Sequence, residues 1–125
     1  MGAPPAQQTA GAVSEMSDEI RISGKTLSRR ELEELASGVE PVELADCALE
    51  EADLARLQLA GWTFRQCRLA GASFEKAGLE ETRFLGCRGA FAVFSGADLT
   101  SALFQGCDFN NSAFLRARLG TARFE

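Results

Sequence analysis

The sequence has no histidine and no tyrosine, a single tryptophan and only three prolines. Without histidine there is no Ser-His or Cys-His catalytic pair and no imidazole metal ligand. Basic residues are also short: 13 Lys and Arg stand against 18 Asp and Glu, a formal net charge of −5. A phosphate-backbone binder ordinarily carries a basic surplus, so direct nucleic-acid binding is not expected. No apolar run approaches the roughly 20 residues of a transmembrane helix, and the start lacks the regions of a signal peptide. Met1-Gly2 begins an N-myristoyl motif, but Ala6 stands where Ser or Thr is wanted. These absences predict a cytoplasmic chain with no membrane segment. The length of 125 residues suits one domain with a modest core.

What is present falls into three parts. Residues 1–18 read as a disordered leader, dominated by small and polar residues with no apolar period. That composition also permits an export signal of the kind injected bacterial effectors carry, which is the alternative localisation. Residues 19–41 read as an N-terminal cap of one strand and one helix. Ile20 and Ile22 alternate with charged neighbours, as in a short strand. Ser28 and Glu31 form a Ser-x-x-Glu capping box, with Leu27 and Leu32 at the staple positions. Leu32, Leu35 and Ala36 make one apolar stripe, and Gly38 is the expected helix stop. A helix this short cannot stand alone and must lie on something apolar.

From residue 42 to 125 the period is five. Every fifth residue from Leu44 to Phe124 is Leu or Phe, sixteen of seventeen positions, with Gly89 the exception. Two residues earlier in each unit stand eight Ala, four Cys, and Val42, Leu57, Trp62, Thr82 and Ser112. Neither a helix nor an ordinary strand has this period, so it is an internal repeat. The units Ala-Asp-Leu at 52–54 and 97–99, Ala-Ser-Phe at 72–74 and Ser-Ala-Phe at 112–114 resemble those of the pentapeptide-repeat proteins. The resemblance covers about two thirds of the chain. It implies an all-β solenoid, a right-handed quadrilateral β-helix of about four coils with twenty residues per coil. In that fold the Leu/Phe centre and the small residue before it point inward, and the other three positions point out.

Several columns repeat at twenty as well as at five. Cys47, Cys67, Cys87 and Cys107 occupy one small inward column. Four sulfurs in a line cannot surround one ion tetrahedrally, so no metal site of that kind is expected. Stacked Cα atoms about 4.8 Å apart lie inside disulfide range, but the side chains would run parallel. The plainer reading is a column of small buried hydrophobes. Leu57 and Trp62 are too large for the small site, which suggests a flared end covered by the cap. Gly89 leaves a gap between Leu69 and Phe109 in its column, and two readings stay open for Phe91: it fills that gap, or it stands exposed as a binding candidate.

Function must come from outward residues, because the inward ones are committed to packing. No nucleophile–base pair, metal cluster or phosphate loop is visible, so no catalytic residue and no cofactor are expected. Arg56, Lys76 and Arg116 form a basic column interrupted by Gly96; Arg68 and Arg88 stack; Glu80, Glu81 and Asp98 form an acidic patch. Such columns are ordinarily solvated faces. Leu85 and Leu103 are expected as neighbours on one side, and Phe91, Val93, Ala113 and Leu115 near one corner. These and Phe124, close to an open top coil, are the candidate interaction surface. The expected function is a non-catalytic protein-interaction or assembly module, with an end-to-end homodimer through the C-terminal coil as one arrangement. The resemblance supplies an alternative, a DNA-mimicking modulator of DNA gyrase like the quinolone-resistance members. The nearly balanced repeat charge departs from that pattern, since a DNA mimic needs acid spread along its rod.

Overall fold

The computed structural model describes residues 20–125. The leader, including its reading as an export signal, lies outside the described residues, as does residue 19 of the cap. The order of elements is β1 (Ile20–Ser23), α1 (Arg29–Ala36), β2 (Val42–Ala45), β3 (Thr63–Arg65), β4 (Arg83–Leu85), β5 (Leu103–Gln105) and β6 (Arg123–Phe124). All six strands stack in chain order in one parallel sheet. From β2 onward the register steps by twenty: Leu44 pairs with Phe64, Phe64 with Phe84, Phe84 with Phe104, and Phe104 with Phe124.

This sheet is one side of a square. Single parallel bridges form the other three: Ala48–Arg68–Arg88–Asp108, Asp53–Ser73–Val93–Ala113, and Gln58–Gly78–Asp98–Arg118. The chain is therefore a quadrilateral β-solenoid, with about five turns once β1 is counted. Neighbouring coils are joined by backbone bonds on every side, as in Leu54 N to Ser73 O at 2.8 Å and Leu59 N to Gly78 O at 2.7 Å.

Each side ends in a sharp corner, and the corner has its own signature. From Asp46 to Thr121 every fifth residue lies in the left-handed region, whether or not it is glycine. Eleven of these sixteen are non-glycine, among them Arg56 at +67° and Phe91 at +62°. Each costs about 1–2 kcal/mol relative to ordinary backbone. The cost is offset by inter-coil hydrogen bonds and by the interior that the corners enclose.

The interior is an apolar column without polar breaks at its centre. The Leu/Phe centres from Leu44 to Leu99 are fully buried. Phe64, Phe84, Phe104 and Phe124 stack nearly parallel with centroids 4.9, 4.7 and 4.7 Å apart, the height of one coil. Phe74, Phe94 and Phe114 form a second stack at 4.9 Å per step. The two stacks meet edge to face, as in Phe74–Phe84 at 5.7 Å, the arrangement that the ring quadrupole favours. Trp62 and Leu57 are buried in the same core, with Leu27 and Leu32 of the cap packed into it.

The cap is anchored by local rules. Ser28 Oγ accepts from Glu31 N at 3.2 Å, and Ser28 N donates to Glu31 Oε1 at 2.8 Å. Leu32 is fully buried and Leu35 half-buried. Arg29 Nη1 donates to Ala55 O at 2.7 Å, tying the helix to the first coil. The helix end differs from expectation. It closes at Ser37, in right-handed conformation, whose hydroxyl donates to Glu34 O at 2.7 Å. Gly38 is not left-handed, and its amide bonds Leu35 O at 3.3 Å. A tightened last turn therefore does what a left-handed glycine was expected to do.

Candidate functional site

Gly89 is buried at an inward centre, where the two readings of Phe91 part. The gap it leaves is filled from above: a Cβ at position 89 would run into the ring of Phe109. That ring meets Phe84, Phe94 and Phe104 edge to face at 5.8, 5.6 and 5.4 Å. Ser112 Oγ donates to Gly89 O at 3.0 Å and closes the same space. Phe91 does not fill the gap. It sits on a left-handed corner and is 65% exposed. The reason is direction: an outward corner residue cannot turn into the core, while Phe109 already points inward one coil away.

Phe91 opens onto the third side of the solenoid. The outward column here runs Asp53, Ser73, Val93, Ala113. Its base is acidic, with Glu51 and Asp53, and the Arg29 side chain of α1 reaches it there, 3.7 Å from Asp53 Oδ1. Its upper half is apolar. Phe91 stands on the corner before this side and Leu115, 70% exposed, on the corner after it. Val93 and Ala113 pair between them. The four residues thus span a whole side instead of gathering at one corner. Behind Leu115 lies a cavity of about 170 Å³ bounded by Glu75, Lys76, Ser95, Gly96 and Arg116. The basic corner column therefore borders the apolar strip.

The other candidates fall elsewhere. Leu103 pairs with Arg83 and Leu85 with Gln105, so the two leucines are diagonal on the first side and do not face each other. Both are half-buried. At the top, Phe104, Cys107, Phe109, Phe114, Phe124 and Glu125 line an open cavity of about 390 Å³. Phe124 is 58% exposed and Leu119 41%. On the fourth side the Thr100 hydroxyl and amide donate to Asp98 Oδ1 at 2.6 and 3.1 Å. These bonds hold the Asp98 carboxyl below the usual carboxylate range.

The four cysteines are free thiols in one column, buried except for half-buried Cys107. Cys67, Cys87 and Cys107 lean alike, donating to the carbonyls of Leu44, Phe64 and Phe84 at 3.1, 3.0 and 3.0 Å. Cys47 is held more loosely, 3.5 Å from Ala45 O. Hydrogen bonding with Cys87 lowers Cys107 to about 7, and the Cys87 amide donates to Cys107 Sγ at 3.3 Å. Cys87 is raised in turn, first by Cys107, then by Cys67 and burial. Among the described residues no three His, Cys, Asp or Glu side chains gather as a metal cluster. No described helix is long and apolar enough to cross a membrane.

One buried charge gave no sequence signal. Glu43 on β2 is buried and bonds Arg65 Nε at 3.0 Å, with Arg21 Nε 3.8 Å away. It ties three successive strands together from within the first side. The hydroxyl of Thr63 beside it is buried with no partner among the described residues.

A family model described as a pentapeptide repeat region matches residues 59–125. No curated protein matches the chain. Among solved structures it is similar to a pentapeptide repeat protein, Rfr23, from the cyanobacterium Cyanothece 51142. The identity is 14% over 86% of each chain, with a TM-score of 0.49. It is also similar to a trypsin-treated variant of QnrB1, a plasmid-mediated fluoroquinolone resistance protein, at 19% identity. That match covers 83% of this chain and 55% of that one, with a TM-score of 0.47. A third is HetL of Nostoc sp. strain PCC 7120, involved in heterocyst differentiation regulation, at 23% identity. It covers 66% of this chain and 40% of that one, with a TM-score of 0.35. The chain thus spans just over half of that QnrB1 chain and less than half of HetL.

Proposed function

The chain belongs to the pentapeptide-repeat family, and from that premise we propose that it is a non-catalytic interaction module binding a protein partner across the upper third side. The observation that carries this reading is Phe91. A bulky side chain on a left-handed corner costs stability, and at 65% exposure it regains little by burial. Its contribution lies outside the fold of the free chain. With Leu115 at the far edge and Val93 between, it forms a strip that a partner's apolar side chains can cover. Lys76 and Arg116 beside the strip favour a partner with an acidic rim.

A photo-crosslinking residue placed at 91 or at 115, in host cells, tests this. Adducts of the same mass at both positions, absent with the crosslinker at Glu80, support the reading. Adducts no more frequent at 91 and 115 than at 80 refute it.

The last coil favours a second reading, end-to-end association of two copies. Its stacked rings line the open cavity at the top, and burying Phe124 and Leu119 supports association at about 2 kcal/mol per large side chain. Light scattering at rising concentration tests it. Twice the chain mass, returned to one by Phe124→Ser, is expected; a monomer throughout refutes it.

A further inference from the structure

The thiol column repeats one geometry at the height of one coil. Cys87 and Cys107 make the same bond to the residue 23 positions earlier, so one sulfur is the other translated by a single step. That step is the 4.7–4.9 Å seen in the ring stacks. Two metal–thiolate bonds of about 2.3 Å laid end to end span about 4.6 Å. The column cannot offer four sulfurs to a tetrahedral ion, but sulfurs one coil step apart are close to the span of a two-coordinate ion. We propose that Cys87 and Cys107 form a linear two-coordinate site for a soft monovalent cation of the Cu(I) class.

Three features single out this step of the column. First, a groove of about 470 Å³ opens on it, lined by Gln66, Gly86, Arg88, Gly106 and Asp108 beside the two cysteines. Gly86 and Gly106 stand at the corner positions that carry Asp46 and Gln66 in the coils below; the Gln66 side chain lies against Gly86, while the corner at Gly106 is open beside Cys107. Second, Cys107 is half-buried, whereas Cys47, Cys67 and Cys87 are buried. Third, binding releases two thiol protons to solvent and leaves a bis-thiolate cation unit of charge −1, which Arg88 in the groove faces, while Asp108 beside Arg88 leaves the groove's own side chains neutral overall. Thiolate ligands and a low coordination number favour a soft ion over the hard divalent cations, and the missing third and fourth ligands disfavour zinc.

The experiment titrates the reduced full chain with Cu(I) under anaerobic conditions, against a chromophoric Cu(I) chelator, and reads the bound ion by X-ray absorption. One ion per chain with two sulfur neighbours in linear geometry is expected. Cys107→Ser should weaken binding about 100-fold or more, since even an outer-shell change costs 10–100-fold. Cys47→Ser, two coils away from Cys87, should bind as wild type. Cys107 is half-buried, so its serine variant keeps the fold, which circular dichroism and the melting temperature verify. Failure of the wild-type chain to take the ion from the chelator overturns the proposal. So does wild-type affinity in Cys107→Ser, a three- or four-sulfur environment, or zinc binding of equal strength.

Discussion

Replacing Gly89 by alanine separates the repeat pattern from the packing. By pattern the change is favourable. Gly89 is the one centre without a Leu or Phe, and its backbone is not left-handed, so a Cβ is conformationally allowed. Loss of glycine freedom in the unfolded chain should add about 0.4–1 kcal/mol. The structure reverses the sign. The new Cβ falls on the Phe109 ring, which must swing away from its edge-to-face contacts with Phe84, Phe94 and Phe104. Overpacking of this kind costs about 1–3 kcal/mol, and each disturbed aromatic pair holds about 0.5–1.5 kcal/mol. The net expectation is a loss of about 1–2 kcal/mol.

The second half of the cycle uses Phe109→Leu. With the ring gone, Gly89→Ala should stabilise that background by about 0.5 kcal/mol. The two positions are then coupled by about 2 kcal/mol, although they lie twenty residues apart. Urea unfolding of the four proteins measures it, with an unchanged slope showing that the unfolding reaction is the same. A Gly89→Ala protein as stable as wild type would refute the reasoning, as would a coupling below about 0.5 kcal/mol.

Three further outcomes follow from particular contacts. Ser28→Ala removes the side chain that accepts from Glu31 N, and should cost about 1 kcal/mol in thermal or urea unfolding; no change would mean the helix is held by Leu32 alone. Phe91→Gly relieves a left-handed corner and should raise stability by about 0.5–1 kcal/mol while abolishing crosslinking through the strip; a loss of stability would show that Phe91 packs on the fold. Cys107 should be alkylated fastest of the four thiols, with a rate rising through about pH 7, because hydrogen bonding from Cys87 lowers it. Mass spectrometry of alkylated peptides over pH 5 to 9 checks the rates (about two units either side of the midpoint).

The period of five was legible because it is a volume rule enforced within each unit. One large and one small residue must enter each side, and no distant choice alters that. The capping box was legible for the same reason: Ser28 and Glu31 need only each other. The corners left a fainter trace. Gly61, Gly71, Gly86, Gly96 and Gly106 all share one phase of the repeat, and all are left-handed. Arg, Lys and Glu at the remaining corners hid that phase, because tertiary hydrogen bonding holds them where propensity would not.

What escaped the sequence involves contacts between coils. A one-dimensional pattern assigns each side chain to its own level, yet a phenyl ring is about as tall as a coil step, so Phe109 can occupy the space of Gly89 below it. Glu43 is buried because Arg21 and Arg65 reach it from the strands on either side, each 22 positions away. Leu85 and Leu103 looked adjacent by side and proved diagonal by register. The candidate surface was legible only as far as the rule that outward residues are free. That rule named Phe91 and Leu115, but their meaning rests on the whole column, acidic where Arg29 of the cap reaches it and apolar above. In a solenoid the inward positions specify the fold that the family shares. What distinguishes one member's binding is written outward, in how charge and apolar area change from coil to coil along a side.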